Sequence, residues 1–197
     1  MLWNRSLVMR DIETETLWSH LLGRGMRGEL EGVELEMLPA SMTTWGEWRA
    51  RHPDTTLLAM SRTTDRYDEG AWKSPHKFVY GIPLGPGLPS PAVGLRKLQN
   101  DTVVMVKLAE ATLVVAHEKE GGSVKAFDAK VDGKTLTFSA SGERRMTDSS
   151  TSSEWDVVTG EALSGPLKGK SLKEIPGTVS FLKAWNAFYP DDEVVNE

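Results

Sequence analysis

The residues able to do chemistry in this 197-residue chain are few and unevenly placed. Its imidazoles are His20, His52, His76 and His117, and there is no cysteine. Thiolate nucleophiles, disulfides, Cys-ligated zinc and iron–sulfur clusters are thereby excluded together. His20 lies two residues after Trp18, on the same face of a short strand, with Ser19 between them and Asp11 upstream. A carboxylate, an aromatic wall and a base within one strand pair suit metal-assisted or general-base hydrolysis, so Asp11, Ser19 and His20 are the expected catalytic residues. The alternative is an edge-strand histidine beside a core tryptophan, with Asp11 capping a turn.

Two further groups bear on binding. His117-Glu118, at a strand end, offers an imidazole and a carboxylate to a divalent metal, against the plainer reading of a solvated strand end. Seven tryptophans are many for this length. Trp3 and Trp45, with Asn4 and Arg10, form the expected ligand-binding set; Trp72 is a further candidate for a pocket wall. His52 precedes Pro53 and reads as a capping or packing residue, and His76 sits in a polar turn. No Walker loop, dinucleotide fingerprint, Gly-x-Ser-x-Gly elbow or His-Glu-x-x-His helix is present. Gly81-x-x-x-Gly85-x-Gly87 is interrupted by proline and reads as a structural loop.

The elements that must position these residues are organised by an internal duplication. Residues 9–54 recur as 146–191 at a constant offset of 137, without a gap, and 14 of the 46 positions are identical. The identities are mostly Gly, Pro, Trp and Leu, which set turns and cores: Trp18/Trp155, Gly23/Gly160, Gly28/Gly165, Leu35/Leu172 and Trp48/Trp185 among them. The matched tryptophans are expected in the core. Shared residues should maintain structure, so function is expected where the copies differ.

Within the shared unit, Thr16–Leu22 and Ser153–Val158 are strand candidates, and Val33–Leu38 alternates apolar and acidic residues as a one-face-buried strand does. Thr44-Trp-Gly-Glu47 has the form of a capping box, and Pro53 follows the helix it opens. Phe181, Leu182, Trp185 and Phe188 have helical spacing in the second copy. Thr56–Met60 and Glu193–Val195 read as the strands that leave the helices. Between the copies, Phe78–Ile82, Ala92–Leu98, Thr102–Leu108, Thr112–His117, Val124–Asp128 and Thr135–Ser139 are strand-like, with hairpin turns at Gly121-Gly122 and Asp132-Gly133. The expected fold class is α+β, predominantly antiparallel β with one short helix per repeat and internally duplicated. Residues 1–64 form a truncated repeat and 65–197 a complete one, packed as one unit.

Leu7-Val-Met-Arg-Asp11, Glu15-Thr-Leu-Trp-Ser19 and Thr43-Thr-Trp-Gly-Glu-Trp48 resemble the family catalogued as domain of unknown function 3179. So do Thr159-Gly-Glu-Ala162, Ser164-Gly-Pro-Leu-Lys-Gly169 and Val131-Asp-Gly-Lys-Thr-Leu-Thr-Phe138. The resemblance implies a bacterial or archaeal source and supplies no reaction. It also implies a front half with a Cys-Pro-Leu-Cys type motif and a His-Glu pair. Here the matching segment, Val114–Gly122, has His-Glu and no cysteine.

The net charge of −5 argues against nucleic acid as a partner. No stretch is long and apolar enough to span a bilayer, and Met1–Asp11 lacks the apolar core of a secretory signal, so a cytoplasmic location is expected. The sheet edge of the half unit favours a homodimer. Three function classes are therefore carried forward: a small-molecule hydrolase, a ligand-binding module using the unmatched tryptophans, and an assembly protein.

Overall fold

The computed structural model describes residues 2–4, 6–58 and 71–196. The boundary expected at residues 64/65 lies outside them, as do the last two residues of the strand expected over Thr56–Met60. The fold is predominantly antiparallel β with short helices, and the duplication is visible as two four-stranded meanders. The N-terminal meander runs Leu2–Trp3, Ser6–Arg10, Leu17–Ser19, Arg24–Arg27; the C-terminal one runs Phe138–Ala140, Arg145–Asp148, Glu154–Asp156, Ala162–Ser164. Met9 stands opposite Trp18 as Met146 stands opposite Trp155, and each third strand carries its register shift at that tryptophan.

Between and beyond the meanders the complete repeat builds a two-stranded hairpin, Lys130–Val131 with Lys134–Thr135, and two more four-stranded sheets. The central sheet joins Val103–Lys107, Thr112–Glu118, Ser123–Asp128 and Glu174–Ile175, all antiparallel. The mixed sheet joins Thr178–Phe181, Phe78–Gly81, Ala92–Gly94 and, in parallel, Val194–Val195. β-Branched residues fill the central strands, and their alternation feeds two cores. Val114, Ala116 and Phe127 pack with Met146 and Trp155 of the C-terminal meander and with Leu172 just after it. Val104, Val106, Val115 and Ala126 face the other way, into Tyr80, Val93 and Leu95. The complete repeat is thus three layers deep with the central sheet buried on both faces.

The helix expected near residue 45 spans Trp45–Arg51, with Thr44 as its N-cap accepting the Glu47 amide at 3.3 Å. Its counterpart is Leu182–Phe188. A third helix, Leu95–Asn100, replaces the second half of the strand expected over Ala92–Leu98. Leu95 and Leu98 are both buried at a spacing of three, which a helix places on one face and a strand does not.

Three segments that are strands in the second copy are not strands in the first. Glu174–Ile175, Thr178–Phe181 and Val194–Val195 pair with Ser123–Asp128, Phe78–Gly81 and Ala92–Gly94 respectively. At the offset of 137 they correspond to Met37–Leu38, Ser41–Thr44 and Leu57–Leu58, and none of these is a strand. Val33–Leu38, expected as a strand, keeps only a single bridge from Glu34 to Arg24. The reason is the same in each place. A strand exists by its ladder, and no strand among the described residues pairs with these segments.

The two repeats are joined through Leu21, which is fully buried with Val79, Ala92, Ala184 and Trp185 of the complete repeat. Trp3 packs edge-on to Phe188 at 6.3 Å. A charged group completes the join: Glu47 of the first helix meets both Arg51 and Arg144 at 3.3 Å. No helix among the described residues is long and apolar enough to cross a membrane.

Candidate functional site

In each copy an aspartate closes the turn between the second and third strands of the meander. The Asp11 carboxylate accepts the Thr14 amide at 2.6 Å, the Thr14 hydroxyl at 2.8 Å and the Trp18 indole N–H at 2.8 Å. Asp148 accepts the Thr151 amide at 2.6 Å, its hydroxyl at 2.8 Å and the Trp155 indole at 3.1 Å. The threonine hydroxyls bond onward to Thr16 and Ser153 at 2.7 Å, and these accept the amides of Leu30 and Leu167 at 3.1 Å. Glu15 and Ser152 both turn through positive φ, 56° and 58°, to close the loop.

The donors hold these carboxylates ionised. Hydrogen bonds from the Trp18 indole and the Thr14 amide bring Asp11 down to about 2. For Asp148 burial pushes upward, but the Trp155 and Thr151 donors outweigh it and the net direction is down. An ionised carboxylate so supplied with donors staples its own turn. It is poorly placed to take a proton from a substrate.

Ser19 is fully buried and its hydroxyl accepts the Leu22 amide at 3.2 Å. His20 directs Nδ1 at the Leu7 carbonyl oxygen, 2.9 Å away, and so donates there. Arg10 stands opposite Leu17 and Val8 opposite Ser19, so Asp11 and the Leu7/His20 pair lie at opposite ends of the ladder. That separation is about 13 Å at the usual strand rise. The expected catalytic residues share a strand pair and are not brought to one point.

His117 and Glu118 are both buried, and as neighbours on one strand they leave it on opposite faces. His117 donates from Nδ1 to the Leu98 carbonyl at 2.9 Å and stacks on Trp72 with ring centres 4.0 Å apart. Burial lowers its pKa, keeping the ring neutral. Glu118 accepts the amides of Glu120 and Gly121 at 2.9 Å and faces Arg51 at 3.8 Å. Among the described residues, no group of three or more His, Asp or Glu is arranged to hold a metal.

The expected ligand-binding set is divided. Trp3 and Asn4 line one open cleft of about 410 Å³ beside Phe188. Arg10 pairs with Glu15. Trp45, the first residue of its helix, is exposed elsewhere. Trp72 is part of the His117 stack, with its indole donating to the Gly122 carbonyl at 3.1 Å.

Two features emerge that the sequence reading did not single out. The first is an uncovered apolar face. Met9 is 45% exposed and its identical counterpart Met146 is fully buried. Trp48, expected in the core, is 36% exposed, whereas Trp185 is fully buried. Leu7, Met42, Leu57 and Leu58 are exposed as well; outside the first repeat only Leu88 and Phe181 are large, apolar and exposed among the described residues. The cover over Met146 is the Val114, Ala116 and Phe127 face of the central sheet, and the cover over Trp185 is Gly81 of the mixed sheet.

The second feature is a cleft of about 540 Å³ at the junction of the repeats. Leu22–Arg24 and Glu34–Leu35 form one wall, the Pro83–Leu88 loop another, and Lys173–Pro176 with Tyr189 and Asp192 the third. Tyr189 donates its hydroxyl to the Leu21 carbonyl at 2.8 Å, and burial raises its pKa, with Asp192 acting in the same direction and Arg24 against it. The rule that function appears where copies differ does point here: Arg24, Glu34 and Tyr189 correspond to Glu161, Ser171 and His52.

The family described as "Protein of unknown function (DUF3179)" matches the chain twice, over residues 1–80 and 72–192, and the chain belongs to it. The two matches correspond to one truncated and one full repeat. No curated protein and no solved structure matches the chain.

Proposed function

We propose that this member of the DUF3179 family is an assembly module whose half repeat docks a second copy of the same chain. The observation that carries this reading is the contrast between identical residues, Met9 and Trp48 exposed, Met146 and Trp185 sealed. The complete repeat displays what such a face accepts: the apolar side of a β-sheet. Both faces of the central sheet are already buried. The apolar sheet surface that this chain retains, among the described residues, is therefore the Leu7/Met9 face itself. A partner made of the same chain must use that same face, which is the isologous arrangement of a two-fold dimer.

A hydrolase centred on Asp11, Ser19 and His20 gains no support from the geometry, because the first two are bonded within their own turns and the third lies at the far end of the ladder. The dimer is tested by light scattering at micromolar concentration. A mass of two chains for the native protein, and of one for a Leu7→Lys/Met9→Lys variant that still unfolds cooperatively, is the expected result. A single-chain mass for the native protein overturns the proposal.

A further inference from the structure

We infer that the cleft at the repeat junction binds an amphipathic zwitterion: an apolar amino acid, or a short apolar peptide with free termini. The inference is independent of the dimer. Its first support is charge. Arg24 and Lys173 bring two cations to the cleft and Glu34, Glu174 and Asp192 three anions; Glu174 is taken up by Lys125, and none of the other four has an ion pair or side-chain hydrogen bond among the described residues. Two charges of each sign have no net preference for a simple anion or a simple cation. They offer separate partners to a carboxylate and an ammonium group carried by one molecule.

The space between these charges is apolar. Leu88 is one of the two large apolar residues left exposed outside the first repeat, and it lines this cleft with Leu84, Met37 and Ile175. Tyr189 of the complete repeat, which lines the cleft with the buried Ser90, donates its hydroxyl to the Leu21 carbonyl of the half repeat at 2.8 Å. That bond ties the two repeats together at the cleft. Gly85 and Gly87, at φ 114° and 70°, have open space where a side chain would stand, so this wall of the cleft adds no side-chain bulk at those two positions. About 540 Å³ lies within the usual range for small-ligand sites and accommodates a di- or tripeptide.

The test is chemical-shift titration of the isotopically labelled full chain with three probes: Leu-Leu, free leucine, and Leu-Leu acetylated and amidated at its ends. Saturable shifts at Leu22–Arg24, Pro83–Leu88 and Tyr189 with Leu-Leu are expected, with the blocked peptide at least about tenfold weaker once both ends lose their charge. Arg24→Ala and Asp192→Asn should each weaken Leu-Leu by about fivefold, the upper range for an exposed ion pair, with unchanged melting temperatures. Lys173→Gln is a second probe of the carboxylate end. Tighter binding of leucine than of Leu-Leu would narrow the ligand to the amino acid. Equal binding of blocked and free Leu-Leu, no saturation at millimolar ligand, or full affinity in all three variants would each overturn the inference.

Discussion

Met9 and Met146 occupy one position of one meander, each opposite a tryptophan on the neighbouring strand, yet Met9 stands half-exposed where Met146 is sealed under the central sheet. Lysine at the two places therefore has opposite consequences. Met146→Lys buries an unpaired charge and should cost at least about 3 kcal/mol, read in urea unfolding. Met9→Lys should reduce the mass seen by light scattering, with an unfolding midpoint that matches the native protein diluted to single chains.

Trp185 and Trp48 diverge in the same sense. The Trp185 ring lies directly on Gly81, so close that a side-chain carbon there would stand 2.1 Å from it. Trp185→Ala is expected to cost about 3–5 kcal/mol as a large buried aromatic, and Gly81→Ala to be comparably damaging through overlap. Trp48→Ala, losing a partly exposed ring stacked on His52 at 4.1 Å, should cost about 1 kcal/mol or less.

The two turn aspartates predict the acid limb of the stability curve. Both native pKa values lie below that of the unfolded chain, so their contribution is complete above about pH 4. It is lost as pH falls through the native values, about 2 for Asp11. Asp148→Asn should lower stability at pH 7, flatten the slope below about pH 4, and cost about 1.5–3 kcal/mol for a charged hydrogen bond. Asp11→Asn should act in the same direction and less strongly, since Asp148 is fully buried and Asp11 is not.

A second pH dependence belongs to His117. Burial depresses its pKa, with the Leu98 carbonyl and Glu118 favouring the charged ring and Lys119 opposing it. Between the native value and about 6.5 the unfolded chain binds a proton that the native chain does not, so stability falls as pH drops through that window. His117→Gln should remove this slope. Trp72 fluorescence should change as pH falls through the native value, at the lower edge of that window, in the native protein and not in the variant, because the indole stacks on the imidazole.

Much of the fold was legible because turn and core residues carry their own signals. The glycines at 23, 28 and 32 recur at 160, 165 and 169, all with positive φ, and the capping threonine of the first helix is where the spacing placed it. The failures share one cause. Val33–Leu38 alternates as a strand should, but alternation reports which side chains would be buried and does not report whether a pairing strand exists. Matching Trp48 to Trp185 likewise predicts a common place in the unit and not a common cover. The surroundings of the expected site residues were hidden for a different reason. Asp11, Ser19 and His20 have the right side chains at the right spacing, yet hydrogen bonds to Thr14, Trp18, Leu22 and the Leu7 carbonyl already occupy them. Such local bonds are invisible in residue order.

The self-contained Asp–Thr–Trp staple has a consequence for how this sheet tolerates change. Because each meander holds its own turn, its faces are free to be used differently, and along the second strand the copies bury opposite sides: Ser6 and Val8 are buried where Glu143 and Arg145 are exposed, and Met9 is exposed where Met146 is buried. Saturation mutagenesis of residues 6–9 and 143–146 should give two sensitivity profiles of period two, running in antiphase. A duplicated sequence would then show mirrored constraint, with the alternation preserved and its phase set by whichever side the neighbour happens to occupy.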